Sequence, residues 1–121
     1  MKLLRVLVVE DDTLIAMLLA ETIIGLGHKI CAIETTELGA IAAAHRFQPD
    51  MMIVDDGLSA GNGISAVKAI LRAGLVPYLF VTGDPWRVQA LMPGAIILQK
   101  PFFERELVQA IGNALAATAA S

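Results

Sequence analysis

Five polar residues interrupt an otherwise apolar chain at places where chemistry could gather: Glu10 and Asp11, Asp55, Thr82 and Lys100. Each closes a short apolar run that reads as a strand, and a buried strand has no structural need of a charge or hydroxyl at its end. Three carboxylates brought together repel and raise one another's pKa unless a cation neutralises them. Hard oxygen ligands with an open position suit Mg2+, with Mn2+ as the substitute, better than zinc or copper. A carboxylate beside such an ion, with an ammonium and a hydroxyl aimed at the same point, is equipped to accept a phosphoryl group. In this reading Asp55 is the nucleophile and phosphorylation site. Glu10, Asp11, Asp55 and the backbone carbonyl of Gly57 hold the metal, and Lys100 and Thr82 contact phosphoryl oxygens.

Residues so far apart in sequence meet only if the intervening chain places every strand end on one edge. Leu3 to Val9 is a continuous apolar and β-branched run, the mark of a strand covered on both faces. Thr13 to Leu26 follows as a helix, with Leu14, Met17, Leu18 and Ile24 at helical spacing, Asp12 or Thr13 as N-cap and Gly25 or Gly27 as terminator. The spacing then predicts strands over 30–33, 51–54, 77–81 and 95–98, and helices over 36–47, 63–73, 86–91 and 103–117. Five strands alternating with five helices imply an open parallel α/β sheet, doubly wound because right-handed crossovers cover both faces. Ligands of such a sheet bind at the C-terminal ends of its strands, where the five polar residues fall. The alanine-rich end, 116–121, is expected to fray.

The chain has 121 residues, enough for one domain over 1–121, and 56% of them are hydrophobic against 17% charged. Lys and Arg number 9 and Asp and Glu 12, a net charge of −3 with no basic cluster, so direct nucleic-acid contact is not expected. No apolar stretch reaches the ~18–20 residues of a membrane span, which predicts a cytoplasmic protein with no membrane contact. Cys31, the single cysteine, reads as a buried and inert thiol. His28 and His45 fall near helix ends away from the site, which predicts solvent-facing or dipole-compensating roles.

The acidic pair after the first strand, Asp55 after the third, Thr82-Gly83, and Lys100-Pro101-Phe102 together resemble the receiver domain of bacterial response regulators. Nearly the whole chain takes part in the resemblance. It implies a flavodoxin-like (βα)5 fold of strand order 2-1-3-4-5. It also implies a two-component or phosphorelay phosphoreceiver, loaded on Asp55 by a histidine kinase or histidine phosphotransfer protein. Such a protein assists its own phosphorylation and dephosphorylation without turning over a separate substrate. Its output would be a changed protein-binding face on the fourth helix, fifth strand and fifth helix, as a monomer or a phosphorylation-dependent dimer. The resemblance further implies a cis bond before Pro101. Phe80-Val81-Thr82-Gly83 looks like a subgroup of single-domain proteobacterial receivers carrying Phe-Ala-Thr-Gly.

Several positions depart from that pattern. Ile97 stands where many receivers have a switching aromatic residue, and Ser59 replaces a usual proline, which predicts a looser loop after Asp55. Asn62-Gly63 keeps the turn that follows in many members. Pro85 and Pro93 lie in a short interval between Thr82 and Lys100, which predicts a short, displaced or mobile fourth helix. Asp84 and Trp86, just past Thr82, are candidate modulators together with Ile97. These departures motivate a second reading, a degenerate receiver acting as a phosphorylation-independent interaction module. A flavin- or nucleotide-binding protein is disfavoured, because Glu10-Asp11-Asp12 occupies the loop where an anionic phosphate would need backbone donors or positive charge.

Overall fold

The computed structural model describes residues 2–119. Five parallel strands form one sheet: β1 (Arg5–Val9), β2 (Lys29–Glu34), β3 (Met51–Asp55), β4 (Tyr78–Thr82) and β5 (Ile97–Gln99), in the order 2-1-3-4-5. The connecting helices are α1 (Thr13–Gly25), α2 (Glu37–Phe47), α3 (Gly63–Ala73), α4 (Pro85–Leu91) and α5 (Glu104–Ala119). The fold is the flavodoxin-like α/β arrangement, and α4 is short at 7 residues. Of the tail expected to fray, 120 and 121 lie outside the described residues, and α5 runs to Ala119.

Strand side chains alternate between two cores, as a period of two requires. Val6 and Val8 of β1, Met51 and Ile53 of β3, Leu79 and Val81 of β4, and Leu98 of β5 pack with α1 and α5. Leu7 and Val9, Met52 and Val54, and Phe80 pack on the other side with α2, α3 and Val88 of α4. The central strands are therefore apolar between their end residues, whereas β2 at the sheet edge is only half-covered. Four helices begin on a side-chain cap. Asp12 accepts from the N–H groups of Leu14 and Ile15, Thr36 from Gly39, Asn62 from Ser65, and Asp84 from Arg87.

Helix α1 turns a different face inward from the one its apolar spacing marks. Ala16, Leu19 and Ile23 are buried, whereas Leu14, Met17, Leu18 and Ile24 are exposed. A helix apolar on nearly all sides has no dominant stripe, so packing against the sheet, not the pattern, selects its buried face. Two other expectations are corrected. His28 is buried instead of solvent-facing, and its Nδ1 accepts a 3.0 Å hydrogen bond from the Leu4 N–H. The β1 and β2 starts lie side by side there, and the imidazole completes their pairing. Cys31 is half-buried, not buried, because edge strand β2 is incompletely covered; burial nevertheless pushes its thiol pKa up.

Leu19→Ala is therefore expected to cost ~2–5 kcal/mol of stability, and Leu18→Ala no more than ~0.5 kcal/mol, by urea unfolding monitored by circular dichroism. Equal losses for the two would contradict this orientation of α1.

Candidate functional site

The alternation that divides the core also sorts the polar strand ends. Glu10 continues the series Val6, Val8; Asp55 continues Met51, Ile53; and Lys100 continues Leu98, so all three emerge on the α1 and α5 side of the same edge. There the Lys100 Nζ lies 2.8 Å from Asp55 Oδ2 and 3.1 Å from Glu10 Oε1. Glu10 is 1% exposed and Asp55 9%, so two carboxylates share one cation in a largely dry setting. The remaining oxygens are also used: Glu10 Oε2 accepts from Asp12 N–H at 3.1 Å and Asp55 Oδ1 from Gly57 N–H at 3.0 Å. Asp11 stands exposed at the rim, and a carboxylate oxygen from each of Glu10, Asp11 and Asp55 lies within 4.8 Å of the others. Gly63 is required by close approach. A Cβ there would strike the Asp55 carbonyl, so only glycine lets α3 start directly over the Asp55 backbone.

Burial and a neighbouring carboxylate raise the pKa of Glu10 to about 7, chiefly by desolvation and then by its hydrogen bond with Asp55. Burial works in the same direction on Asp55. There it is outweighed by hydrogen bonds from Glu10, Lys100 and the Gly57 N–H, which hold Asp55 below the usual carboxylate range. The two acids are thus driven apart, with Asp55 the ionised member and Glu10 the one that keeps a proton longest. Desolvation disfavours the Lys100 ammonium, but its bonds to Asp55 and Glu10 prevail and raise its pKa.

Thr82 belongs to the other series, after Phe80, and is buried on the α4 side. Its hydroxyl oxygen accepts the Asp84 N–H at 2.9 Å, and its backbone carbonyl accepts the Lys100 N–H at 2.8 Å. Thr82 therefore joins Lys100 through the main chain and not through its side chain. Asp84 caps α4, Trp86 is 83% exposed beside it, and Ile97 is half-buried against the α2 and α3 core opposite Phe80. The Lys100–Pro101 peptide bond is cis.

Sequence reasoning missed Asp56. Following the parity of Met52 and Val54, it is buried on the α4 side, and its carboxylate pairs with the Arg87 guanidinium at 3.5 Å. The doublet Asp55-Asp56 was the available signal, since adjacent strand residues must face opposite sides. The loop after Asp55 is also not loose. Four hydrogen bonds tie it to the start of α2: Glu37 N–H to the Ala60 carbonyl, the N–H and hydroxyl of Ser59 to the Thr35 carbonyl, and Asn62 N–H to Glu37 Oε1. A proline at 59 could make neither of the Ser59 bonds, so the substitution exchanges local stiffness for a clasp.

An open parallel sheet with an acidic cluster and a lysine at its carboxyl edge is the architecture of a phosphate-handling signalling domain. The chain belongs to the response regulator receiver domain family, whose match covers residues 6–112. It is 32% identical over 115 residues to the phyllosphere-induced regulator PhyR of Methylorubrum extorquens, covering 92% of this chain and 43% of that protein. It is 26% identical to the chemotaxis protein CheY of Thermotoga maritima, covering 90% of this chain and 95% of that one. The solution structure of the Erythrobacter litoralis PhyR receiver domain superposes with a TM-score of 0.87 at 32% identity, over 94% of this chain and 91% of that chain. The chain spans about half the length, 43% to 54%, of the first curated relatives. Among the described residues no helix is long and apolar enough to cross a membrane.

Receiver domains bind Mg2+ at an acidic pocket, and the residues here fit that ion: three carboxylates offering hard oxygen ligands at mutual reach. Because Glu10 carries a proton below about pH 7, a divalent cation must displace it there. Mg2+ affinity is therefore expected to fall as pH drops from 8 to 6, by at most about tenfold per unit, with proton release in calorimetric titrations made in buffers of different ionisation enthalpy. Affinity independent of pH would contradict this proton assignment.

Proposed function

We propose that the chain is a phosphoreceiver that takes a phosphoryl group from the phosphohistidine of a histidine kinase or phosphotransfer protein onto Asp55, in a cytoplasmic two-component or phosphorelay system. The observation that carries this reading is an ionised, mostly buried Asp55 carboxylate held between the Lys100 ammonium and the Gly57 N–H. A carboxylate oxygen of Asp55 attacks phosphorus; the new O–P bond forms as the N–P bond breaks, and the imidazole nitrogen keeps the electron pair. Glu10, Asp11, Asp55 and the Gly57 carbonyl would hold Mg2+. When bound, that ion supplies positive charge to the phosphoryl oxygens as they accumulate negative charge. Lys100 already stands at Asp55 and meets a second phosphoryl oxygen without a change of place along the chain.

Thr82 supplies the link to output. Its oxygen is occupied by Asp84 but its proton remains available, and turning that hydroxyl toward a phosphoryl oxygen releases the Asp84 N–H at the base of α4. Phosphorylation then shifts α4, β5 and α5 between two arrangements to the extent that Thr82 and Lys100 hold the phosphoryl group better in one of them. The downstream partner reads that face. The donor has a separate surface: Leu14 and Leu18 of α1 and Phe103 are exposed, and Leu18 lines a groove with Ile15, Pro101 and Phe102 that ends at Lys100. An amphipathic helix carrying a phosphohistidine would cover this apolar strip while presenting its histidine to Asp55.

Incubation with acetyl phosphate and Mg2+ is expected to add one phosphoryl group by intact mass, absent with chelator and absent in Asp55→Asn. An adduct persisting in Asp55→Asn would overturn the assignment. No adduct from either acetyl phosphate or a phosphorylated kinase would favour a phosphorylation-independent binding module. Leu18→Glu is expected to slow transfer from a phosphohistidine protein by about tenfold or more, equivalent to ~1.4 kcal/mol, while leaving labelling by acetyl phosphate unchanged.

A further inference from the structure

The loop that carries Gly57 is short of internal support. Residues 57 and 62 face one another across an isolated antiparallel bridge, closed by the Gly63 N–H on the Asp56 carbonyl at 3.0 Å. None of these bonds uses the Gly57 carbonyl, and the far limb of the loop has its partners elsewhere. That limb is held from outside by Glu37, at the start of α2. Its Oε1 accepts the Asn62 N–H at 3.0 Å, and its own N–H donates to the Ala60 carbonyl at 3.0 Å. Ser59 adds a hydroxyl bond of 3.0 Å to the Thr35 carbonyl, and Thr36 pairs with Ala60 as an isolated parallel bridge.

Gly61 shows independently how tightly Glu37 is seated. Its φ is +77°, and a Cβ at that position would come 2.5 Å from both Cβ and Oε1 of Glu37. The loop thus accommodates Glu37 with a residue lacking a side chain. Asn62 meanwhile has a second duty, accepting the Ser65 N–H at 2.8 Å to cap α3. The order of dependence runs from Glu37 to Asn62, and across the bridge to Gly57, whose own N–H donates to Asp55 Oδ1 at 3.0 Å.

We propose that Glu37 and Ser59 are positioning residues for the metal site: they clasp the loop after Asp55 so that the Gly57 carbonyl points at the cation held by Glu10, Asp11 and Asp55. The inference rests on the Mg2+ site proposed above. Neither residue touches the metal or the phosphoryl group. Glu37 acts as a hydrogen-bond acceptor, not as a charge, so its conservative amide should serve in its place.

The test is an Mg2+ titration of the 15N-labelled chain followed at the Gly57 amide, for wild type, Glu37→Ala, Glu37→Gln and Ser59→Ala. Losing one such hydrogen bond should weaken Mg2+ binding about 3- to 10-fold in Glu37→Ala and about 2- to 3-fold in Ser59→Ala, with Glu37→Gln within about twofold of wild type. Both Glu37 variants lose the charge that favours the α2 N-terminus, so the difference between them isolates the acceptor. Amide exchange at Asn62 without metal should accelerate in Glu37→Ala and not in Glu37→Gln. Faster exchange with unchanged Mg2+ affinity overturns the inference alone, as does a Gln variant as weak as the Ala variant. A wild type that binds no Mg2+ overturns the metal site and the inference together. If Glu37→Ala does not fold, Ser59→Ala decides, and wild-type affinity in that variant overturns the clasp.

Discussion

One ammonium between two buried carboxylates is the constraint around which the rest of the molecule is arranged. Lys100 satisfies Asp55 and Glu10 at once, from the neighbouring strands β1 and β3 while itself following β5 on the far side of β4, so the relative placement of three strand ends is fixed by one contact. Such an arrangement is a poor way to stabilise a protein. Withdrawing three charges from water costs much of what their attraction returns, and well-packed apolar residues there would serve the fold at least as well. The stability resides in the two apolar layers, which are continuous through the central strands. The charges are carried by that scaffold, and their value lies in what the carboxylate can do while it is kept ionised and dry.

The sheet also separates the acidic cluster from α4. Glu10, Asp55 and Lys100 emerge on the α1 and α5 side, whereas Thr82, Asp56 and Arg87 belong to the α4 side. The two groups meet at the sheet's edge, where the main-chain bond from Lys100 N–H to the Thr82 carbonyl joins them directly. On the far side α4 is held by few anchors: Val88 in the core, the Asp84 cap and the Asp56–Arg87 pair. A seven-residue helix is too short to be stable by itself, so changes at those anchors decide its position.

The alternation of strands and helices, the covered central strands and the polar strand ends were legible because each rests on period and punctuation in the chain. The strand order was legible only through family resemblance, since local pattern says nothing about which strands become neighbours. The buried face of α1 was illegible for a physical reason. With Leu14, Met17, Leu18, Leu19, Ile23 and Ile24 on one helix, periodicity is nearly uniform, and the contact that decides is made with residues remote in sequence. His28 was misplaced for a similar reason: a histidine after a helix end looks solvent-bound until the starts of β1 and β2 close over it. The Asp56–Arg87 pair joins residues 31 positions apart with no local mark except an acidic doublet.

Ser59 shows why a departure from a family pattern is not simply a loss. Proline restricts one φ angle and stiffens a loop without reference to anything outside it. Serine leaves the backbone freer but restores an N–H and adds a hydroxyl, and both find the Thr35 carbonyl. The stiffness then depends on where the β2–α2 junction lies, and the Ser59 bonds reinforce a join between the two loops that Glu37 makes with Ala60 and Asn62. So joined, the loop after Asp55 takes its position from α2 as well as from β3. The consequence is a receiver whose acidic pocket is referenced to three of its helices, α1 through Asp12, α2 through Glu37 and α3 through Asn62, while α4 is anchored apart from it by Val88, the Asp84 cap and the Asp56–Arg87 pair.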